Sequence, residues 1–346
     1  MVKGFEILPS RWVGDGHPCF VIAEIGSNHN QDFDLAKKTI EAAANAGVDA
    51  VKFQTFRAES HYSKKTPGFS YLNDTNTFDL IKGLELDRSW HVPLKAFAES
   101  LGLVFLSSAC DFEAIDELEK IGMPLFKVAS FDLSDLELIR SMARTGRPVI
   151  LSTGMADWME IQRAVNVCRE EGNEKIVLLQ CTSLYPAPER LSNLRAMQTM
   201  REAFGVLSGY SDHTEGGHIC LASVALGACV IEKHFTLDKT LPGPDHPFAI
   251  EPGPLKEMVS CIRSIEAAMG SGAKAGPNVE EYEMFEKGRR SIHARARIAK
   301  GEVITEDLII VKRPGMGISP HMANVVVGRV AATDIEEDQW ITWEMI

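Results

Sequence analysis

The chain lacks the sequence features that mark several large classes of protein. It has no block of lysine and arginine, and its formal net charge of −12 over 346 residues would repel a nucleic-acid backbone. The longest apolar run, Ile219 to Ile231, is too short to span a bilayer, and the first residues lack the charged-then-apolar order of a secretory signal. We therefore predict a cytoplasmic protein with neither nucleic acid nor a membrane as a partner.

The cysteines lack the spacing of a disulfide framework or a redox motif. There are seven, with no C-x-x-C among them: Cys19, Cys110, Cys168, Cys181, Cys220, Cys229 and Cys261. An odd number without paired spacing predicts reduced thiols, most of them buried.

The chain does contain the residues of a large core. Hydrophobic residues make up 45% and charged residues 24%, which is ordinary for a soluble globular protein. The length of 346 residues matches a barrel-sized domain of about 250 residues followed by a smaller one.

Short runs rich in Val, Ile and Phe alternate with longer helical patterns from residue 20 onward, as in a parallel sheet built from strand-helix units. The runs are Phe20–Glu24, Ala50–Gln54, Val104–Ser108, Leu125–Ala129, Pro148–Ser152, Ile176–Gln180, Val206–Tyr210 and Cys229–Lys233. Eight units predict an α/β fold that closes into a (β/α)8 TIM barrel. An open doubly wound sheet is disfavoured because no G-x-G-x-x-G follows the first run.

A long polar stretch, Arg57 to Trp90, separates the second and third runs and includes Pro67, Gly68, Asn73 and Asn76. Because it follows the carboxyl end of a strand, it belongs at the catalytic rim of a barrel. Loops of this length are often lids or substrate-contacting segments.

The pattern changes after the helix predicted over Pro254–Met269. Gly270 to Pro277 has the composition of a flexible linker, and short strands with turns follow. These strands are Ser291–Ile298, Val303–Ile304, Leu308–Val311 and Val325–Val330. We predict a barrel domain over residues 1–270, a linker over 271–285 and a small mostly-β domain over 286–346. A domain that small is marginal alone, so we expect it to contact the barrel or another subunit.

His213 and His234 each end a strand-like run, one strand-helix unit apart. In a parallel barrel they would lie on neighbouring strands at the same rim, where two imidazoles can hold one metal ion. A single histidine at a strand end is more often a hydrogen-bonded structural residue, so the pair is what favours a metal.

Polar residues also recur at the ends of the other runs. They are Glu24, Lys52, Gln54, Ser107, Ser108, Lys127, Ser130, Ser152, Thr153, Thr182, Ser183, Ser211, Asp212, Glu232 and Lys233. Two or more lysines among several hydroxyls suit a phosphate or carboxylate, and two histidines suit a divalent metal. Simpler interpretations stay open: the lysines as surface charges, Glu24 as an ion-pair partner, the hydroxyls as helix caps, and Lys233 facing away from the rim.

Specific strings resemble the N-acylneuraminate (sialic acid) synthases over nearly the whole chain. They are Phe20-Val-Ile-Ala-Glu-Ile-Gly-Ser-Asn-His-Asn30, Val51-Lys-Phe-Gln-Thr55, Leu151-Ser-Thr-Gly-Met155, Gln180-Cys-Thr-Ser-Leu-Tyr-Pro186, Gly209-Tyr-Ser-Asp-His-Thr214, Ile231-Glu-Lys-His-Phe-Thr-Leu-Asp238 and Gly243-Pro-Asp-His246. Lys300-Gly-Glu and Lys312-Arg-Pro-Gly315 resemble that family's C-terminal antifreeze-like (SAF, β-clip) domain.

The resemblance implies a condensation of phosphoenolpyruvate with an N-acyl amino-hexose, typically N-acetylmannosamine, to give N-acetylneuraminate and phosphate. The enol carbon attacks the sugar aldehyde, water adds to the resulting oxocarbenium carbon, and a C–O bond breaks to release phosphate. His213 and His234 would hold Mn²⁺, with Mg²⁺ or Co²⁺ possible, as a Lewis acid for the aldehyde oxygen.

The resemblance also assigns the other site residues. Lys52, Ser108, Lys127, Ser130, Ser152, Ser183 and Ser211 match positions that bind phosphoenolpyruvate. Gln54, Tyr185, Glu232 and Asp245 match positions that contact the sugar or the attacking water, and Glu24 matches the acid/base residue. Arg313 matches an arginine that reaches the sugar in a neighbouring subunit's barrel, which implies a domain-swapped homodimer.

Three places depart from the family pattern. Leu106 to Asp111 lacks the usual Thr-Pro beside Ser108, Met316 replaces a frequent Asn, and His293 replaces an aromatic or aliphatic residue. The alternatives are therefore a legionaminate, pseudaminate or 9-phosphate product of the same condensation. Two further classes also stay open: a barrel hydrolase or isomerase that uses the two histidines, and a noncatalytic sugar-binding protein.

Overall fold

The computed structural model describes residues 3–68 and 76–346, and Asn73 of the long polar stretch lies outside them. The chain divides into two compact units, Met1–Gly270 and Ser271–Ile346. No helix in these described ranges combines the length and apolar character that a membrane span requires.

The first unit begins with an antiparallel hairpin, β1 (Gly4–Leu8) and β2 (Arg11–Gly14). Eight parallel strands then form a closed barrel in chain order, and the last strand pairs with the first. They are β3 (Phe20–Gly26), β4 (Ala50–Thr55), β5 (Val104–Ala109), β6 (Phe126–Val128), β7 (Val149–Ser152), β8 (Ile176–Cys181), β9 (Leu207–Asp212) and β10 (Val230–His234). All eight predicted strands and the predicted closure are confirmed.

Helices follow the barrel strands. They are α1 (Phe33–Ala46), α2 (Ala58–His61), α3 (Thr77–Lys82), α4 (His91–Ser100), α5 (Phe112–Lys120), α6 (Leu136–Arg144), α7 (Trp158–Glu170), α8 (Arg195–Phe204), α9 (His218–Ala225) and α10 (Pro252–Met269). The sequence sets several of their ends: α1 begins where the Asp32 side chain accepts from Leu35 N and ends at Gly47, whose φ is 83°. A capping box of Asp157 and Glu160 begins α7.

The register of the sheet aligns the polar strand ends. Glu24 on β3 lies level with Lys52 on β4 and with His234 on β10. On the next two strands, β5 and β6, Ser108 pairs with Lys127. Because side chains alternate along a strand, Glu232 and His234 share the inner face while Lys233 faces away. Lys233 Nζ instead donates to Asp212 Oδ2 at 2.6 Å and to Thr214 O at 2.7 Å.

The long polar stretch contains short helices, α2, α3 and a 3-10 turn at Arg88–Trp90. Arg88 Nη2 lies 2.6 Å from Asp111 Oδ2, just after β5, and Arg57 Nη1 lies 3.0 Å from Glu85 Oε2. The first ion pair ties the stretch to the carboxyl rim of the barrel, and the second joins the two ends of the stretch to each other.

The second unit contains α11 (Tyr282–Gly288), β11 (Ser291–Ala294), β12 (Ile309–Lys312) and α12 (Ala323–Val326). β11 and β12 pair antiparallel, and isolated bridges such as Ile298 to Ile335 extend the β structure. Its core is built from small aliphatic residues, namely Ile292, Ala294, Ile298, Ile304, Ile309, Ile318, Val326, Ala331, Ile335 and Ile341.

One prediction for the second unit needs correction. The predicted strand Val325–Val330 is wrong, because residues 323–326 form α12, which follows a turn begun by Pro320 and buries Val326 in the core. Three β-branched residues in a row favour a strand locally, but burial of Val326 decides the conformation. Within the predicted linker 271–285, a 3-10 turn at Val279–Glu281 leads into α11.

Candidate active site

A cavity opens at the carboxyl ends of the barrel strands and contains about 1100 Å³ of empty space, part of it open to solvent. All the predicted site residues except Ser183 and Arg313 line it: Glu24, Lys52, Gln54, Ser108, Lys127, Ser130, Ser152, Tyr185, Ser211, His213, Glu232, His234 and Asp245. The predicted residues come from seven of the eight strands and the loops that follow the strands, and Cys181 on β8 lines the cavity as well.

Two lysines and two glutamates form a buried charge network at the base of the cavity. Lys52 Nζ lies 2.7 Å from Glu24 Oε2 and 3.7 Å from Glu232 Oε2, and it donates to Ser108 Oγ at 3.0 Å. Lys127 Nζ lies 3.7 Å from Glu232 Oε1. All four charged side chains are at most 8% exposed, so each charge depends on its neighbours for stabilisation.

The two carboxyls of this network differ in their affinity for a proton. Burial raises the pKa of Glu24 to about 7, although Lys52 opposes the rise. Burial also favours the neutral form of Glu232, but Lys127 and Lys52 outweigh it and lower the pKa of that carboxyl. Glu24 can therefore exchange a proton near neutral pH, while Glu232 remains an anion. The two carboxylates outweigh burial at Lys52 and raise its pKa, whereas burial prevails at Lys127 and lowers the pKa of that lysine.

Hydroxyl groups converge around Gly154 beside this network. Gly154 N donates to Ser130 Oγ at 3.0 Å, and a Cβ at Gly154 would lie 2.3 Å from Ser183 Oγ and 2.8 Å from Ser130 Oγ. Glycine is required for this close approach. Ser152 Oγ and Ser183 Oγ are buried without a hydrogen-bond partner among the described residues. Unsatisfied hydroxyls in a cavity with buried lysines suit an oxyanion.

His213 and His234 face each other, with 5.3 Å between ring centroids. His213 Nδ1 donates to the carbonyl oxygen of Thr182 at 2.7 Å, so that in the neutral ring Nε2 carries the lone pair. The ring of Tyr185 lies 4.3 Å from that of His213. Burial lowers the pKa of His234 well below its usual range, so that imidazole is neutral. At His213 burial acts in the same direction, but the neighbouring Cys181 outweighs it and raises the pKa of that ring.

This pair fits a divalent cation. Neutral imidazole is the form that binds metal, and buried His234 Nδ1 has no hydrogen-bond partner in the described part of the chain, although Asp245 Oδ2 lies 3.5 Å away. The residues described contain no third histidine, cysteine or carboxylate close enough to complete a compact ligand set with the pair. An ion held here would take its remaining ligands from water or substrate.

Asp245 lies in the loop after β10, next to the histidines and Glu24. Burial raises the pKa of its carboxyl to about 6. Gly26, at φ 54°, allows this convergence, since a Cβ there would lie 3.2 Å from Gln54 Nε2 and 3.3 Å from Glu24 Oε1. Gln54 Nε2 itself donates to Glu24 Oε1 at 2.7 Å.

The predicted residues of the second unit are placed as follows. Arg313 is exposed, and its Nε donates to Gly288 O at 2.6 Å. His293 is buried, with Nδ1 donating to Ser291 O at 3.0 Å, whereas Met316 is exposed. The cross-subunit role of Arg313 stays a prediction.

Other residues that line the cavity were not predicted individually. Five apolar side chains from loops and short helices line the cavity and are named here the apolar wall: Phe56, Leu80, Ile81, Leu84 and Phe131. His61, Cys110 and Asp132 line the cavity too. The rim position predicted for Arg57 to Trp90 is confirmed, since α2 and α3 supply lining residues. Their sequence signal was only a few apolar residues within a polar stretch.

Comparison with known proteins agrees with this architecture. Residues 39–274 match the NeuB family and residues 289–346 match the SAF domain. The chain is 43% identical to N,N'-diacetyllegionaminic acid synthase of Campylobacter jejuni, over 93% of this chain and 98% of that protein. It is 36% identical to N-acetylneuraminate-9-phosphate synthase of Homo sapiens, over 99% of this chain and 96% of that protein.

A solved structure adds the same conclusion in three dimensions. The N-acetylneuraminic acid (sialic acid) synthetase from Leptospira borgpetersenii superposes with a TM-score of 0.75 at 34% identity, over 83% of this chain and 96% of that chain. The barrel and the SAF domain thus agree with the family resemblance seen in the sequence, and the chain belongs to the NeuB family of sugar-acid synthases.

Proposed function

We propose that this protein condenses phosphoenolpyruvate with the open-chain form of an unphosphorylated N-acyl amino-hexose, releasing phosphate. With N-acetylmannosamine the product is N-acetylneuraminate. The observation that supports this most is the buried network of Lys52, Glu24, Glu232 and Lys127 in one cavity with His213 and His234.

Phosphoenolpyruvate carries a phosphate and a carboxylate, and the cavity offers groups for both. The ammonium groups of Lys52 and Lys127 supply charge in a setting where water screens little. The hydroxyls of Ser152 and Ser183 would donate to the same oxygens, and in doing so would satisfy two buried groups that have no partner among the described residues.

His213 and His234 would hold a divalent cation, Mn²⁺ by preference with Mg²⁺ or Co²⁺ as alternatives. Such an ion supplies Lewis-acid polarisation of the sugar's aldehyde oxygen. The neutral state of His234 and the Nδ1 hydrogen bond of His213 are properties of this chain that prepare both rings for ligation.

Glu24 is the group we assign to proton transfer. Its pKa of about 7 allows it to give a proton to the aldehyde oxygen as the enol carbon of phosphoenolpyruvate attacks, and to take one from the water that adds next. A C–C bond forms, water adds to the oxocarbenium carbon, and the tetrahedral carbon loses phosphate by C–O cleavage. Gln54 fixes the carboxyl by donating to Oε1 at 2.7 Å.

The apolar wall of the cavity favours an unphosphorylated sugar as the substrate. Leu80, Ile81, Leu84 and the aromatic rings beside them offer no cation to a sugar phosphate, and Asp132 would repel one. The same wall suits a second N-acyl group. A doubly N-acylated hexose, leading to N,N'-diacetyllegionaminate, is therefore the second candidate, and the Campylobacter jejuni relative at 43% identity carries that name.

Phosphate release from phosphoenolpyruvate, measured with Mn²⁺ and a sugar panel, tests the proposal. The panel contains N-acetylmannosamine, its 6-phosphate and a 2,4-di-N-acylated hexose, and each product is identified by mass spectrometry. We expect release only with an unphosphorylated sugar. Preference for the 6-phosphate would contradict the proposed substrate, and release without any sugar would favour a hydrolase.

Heavy-oxygen water provides an independent check of the bond that breaks. C–O cleavage places the label in the sugar acid, whereas hydrolysis at phosphorus places it in phosphate. His213→Ala is the control, because it should keep phosphoenolpyruvate binding and lose turnover. Full turnover by His213→Ala in metal-stripped buffer would refute the role of this histidine.

A further inference from the structure

Three potential metal ligands converge at the outer part of the cavity, away from the histidine pair. His61, Cys110 and Asp132 offer ligand atoms that all lie within 4.8 Å of one another. His61 Nε2 lies 3.8 Å from Asp132 Oδ1. Within residues 3–68 and 76–346 this is the one group of three or more such side chains with that spacing.

The three residues come from different elements, and backbone hydrogen bonds position each of them. His61 ends α2, where its N–H donates to Arg57 O at 3.0 Å. Cys110 directly follows β5, and its N–H donates to Thr55 O at 3.0 Å across to β4. Asp132 ends the 3-10 turn after β6, with its N–H on Ala129 O at 3.0 Å. Because three separate rim segments already bring the ligand atoms together, binding of an ion would need no large rearrangement.

The ligand chemistry points to a particular class of ion. One imidazole, one thiolate and one carboxylate are a ligand set of Zn²⁺, whereas Mn²⁺ and Mg²⁺ prefer oxygen ligands. All three side chains are half-buried and line the cavity, so the fourth tetrahedral position would face the cavity. That is the arrangement of an exchangeable zinc site and not of a closed structural one.

We propose that His61, Cys110 and Asp132 form a second cation site, selective for Zn²⁺ and similar thiophilic divalent ions, at the mouth of the cavity. It is distinct from the site of His213 and His234 in both ligands and position. An ion there would narrow the entrance beside the apolar wall and slow entry of the sugar. The binding of the ion does not depend on the proposed reaction, whereas the inhibition does.

Cobalt(II) added to the full chain tests the binding, because cobalt bound to thiolate has a charge-transfer band in the near ultraviolet. Cys181 is the matched control, since it lines the same cavity and its Sγ lies 3.8 Å from His213 Nδ1. We expect the band in the unmodified protein and in Cys181→Ser, and its loss in Cys110→Ser. A band that survives in Cys110→Ser and disappears in Cys181→Ser would overturn the proposal.

Further variants identify the other two ligands. His61→Gln and Asp132→Asn should each weaken cobalt binding by roughly tenfold or more, while His213→Ala should leave the thiolate band in place. Thermal unfolding of each variant shows whether it is folded. Folded His61→Gln and Asp132→Asn proteins that bind cobalt with unchanged affinity would contradict the site.

Inhibition is tested in the presence of saturating Mn²⁺ with a sugar that the protein uses. Zn²⁺ should raise the KM for the sugar in the unmodified protein and in Cys181→Ser, and have little effect in Cys110→Ser. Equal inhibition of Cys110→Ser would place the inhibitory zinc at His213 and His234 and would refute narrowing of the mouth. If no sugar supports turnover, the proposed function fails, but the cobalt experiment still decides the site.

Discussion

The inner and outer parts of the cavity are built in different ways. The inner part, which we name the floor, consists of Glu24, Lys52, Lys127 and Glu232, all on barrel strands and all buried. The outer part is the apolar wall defined above, whose residues lie on loops and short helices of the rim. Strand register holds each charge of the floor within 4 Å of a partner, whereas only local packing holds the wall in place. Under the proposed function, reaction chemistry would depend on the floor and choice of sugar on the wall, whose loops tolerate changes in sequence.

Loss of a floor cation should have the largest effect. Lys52→Met leaves Glu24 and Glu232 as neighbouring buried carboxyls without the lysine they share, which should cost about 3–5 kcal/mol of unfolding free energy and about a thousandfold in turnover. Denaturant unfolding and phosphate release measure the two effects.

The double variant Lys52→Met/Glu24→Gln is the control for this prediction. It removes one of the two carboxyl charges, so it should recover part of the stability and none of the activity. A Lys52→Met protein of unchanged stability would show that the floor charges do not depend on one another.

Arg313 tests whether the wall alone selects the sugar. If a partner subunit supplies this arginine to the barrel, Arg313→Ala should lower turnover by roughly a hundredfold, mostly through sugar use. Co-expression with His213→Ala should restore activity, because a mixed dimer would contain one complete site. Failure to restore activity, with dimers present, would contradict the exchange between subunits.

Gly154→Ala perturbs the hydroxyls beside the floor without changing any charge. Its Cβ would lie 2.3 Å from Ser183 Oγ, so we expect the KM for phosphoenolpyruvate to rise by about tenfold. Gly253→Ala in α10 is the matched control, since nothing lies within 4 Å of a Cβ there. Equal KM values in the two variants would remove the serines around Gly154 from phosphate binding.

A charge on the wall should have the smallest effect and the most selective one. Ile81→Lys is expected to raise the KM for the sugar several-fold and leave that for phosphoenolpyruvate unchanged. Leu226→Lys, at an exposed leucine outside the cavity, controls for the added charge. If both KM values rise together in Ile81→Lys, floor and wall are not separable.

The strands that carry the floor residues could be predicted because the pattern that forms each strand lies within its own short sequence. Val51-Lys-Phe-Gln and Ile231-Glu-Lys-His show apolar runs with polar ends, and alternation already indicated that Lys233 faces away from Glu232 and His234. Register followed from closure into a barrel of eight strands.

The wall and the small elements were not predictable for an equally physical reason. Leu80, Ile81 and Leu84 gain their role only when α3 lies over the rim, which no periodicity records. The β1–β2 hairpin was missed because its strands span only five and four residues. The strand predicted at Val325–Val330 was wrong because burial in the core outweighed the local preference for a strand. The convergence of His61, Cys110 and Asp132 could not be predicted either, because the three residues come from three separate segments of the chain.

The pairing of β10 with β3 has a consequence for synthesis of the chain. Glu24 emerges from the ribosome among the first residues, yet the imidazole level with it comes 210 positions later, at His234. No shorter nascent polypeptide can contain both side chains, so the pocket is complete only after the last barrel strand has been synthesised and has joined the first.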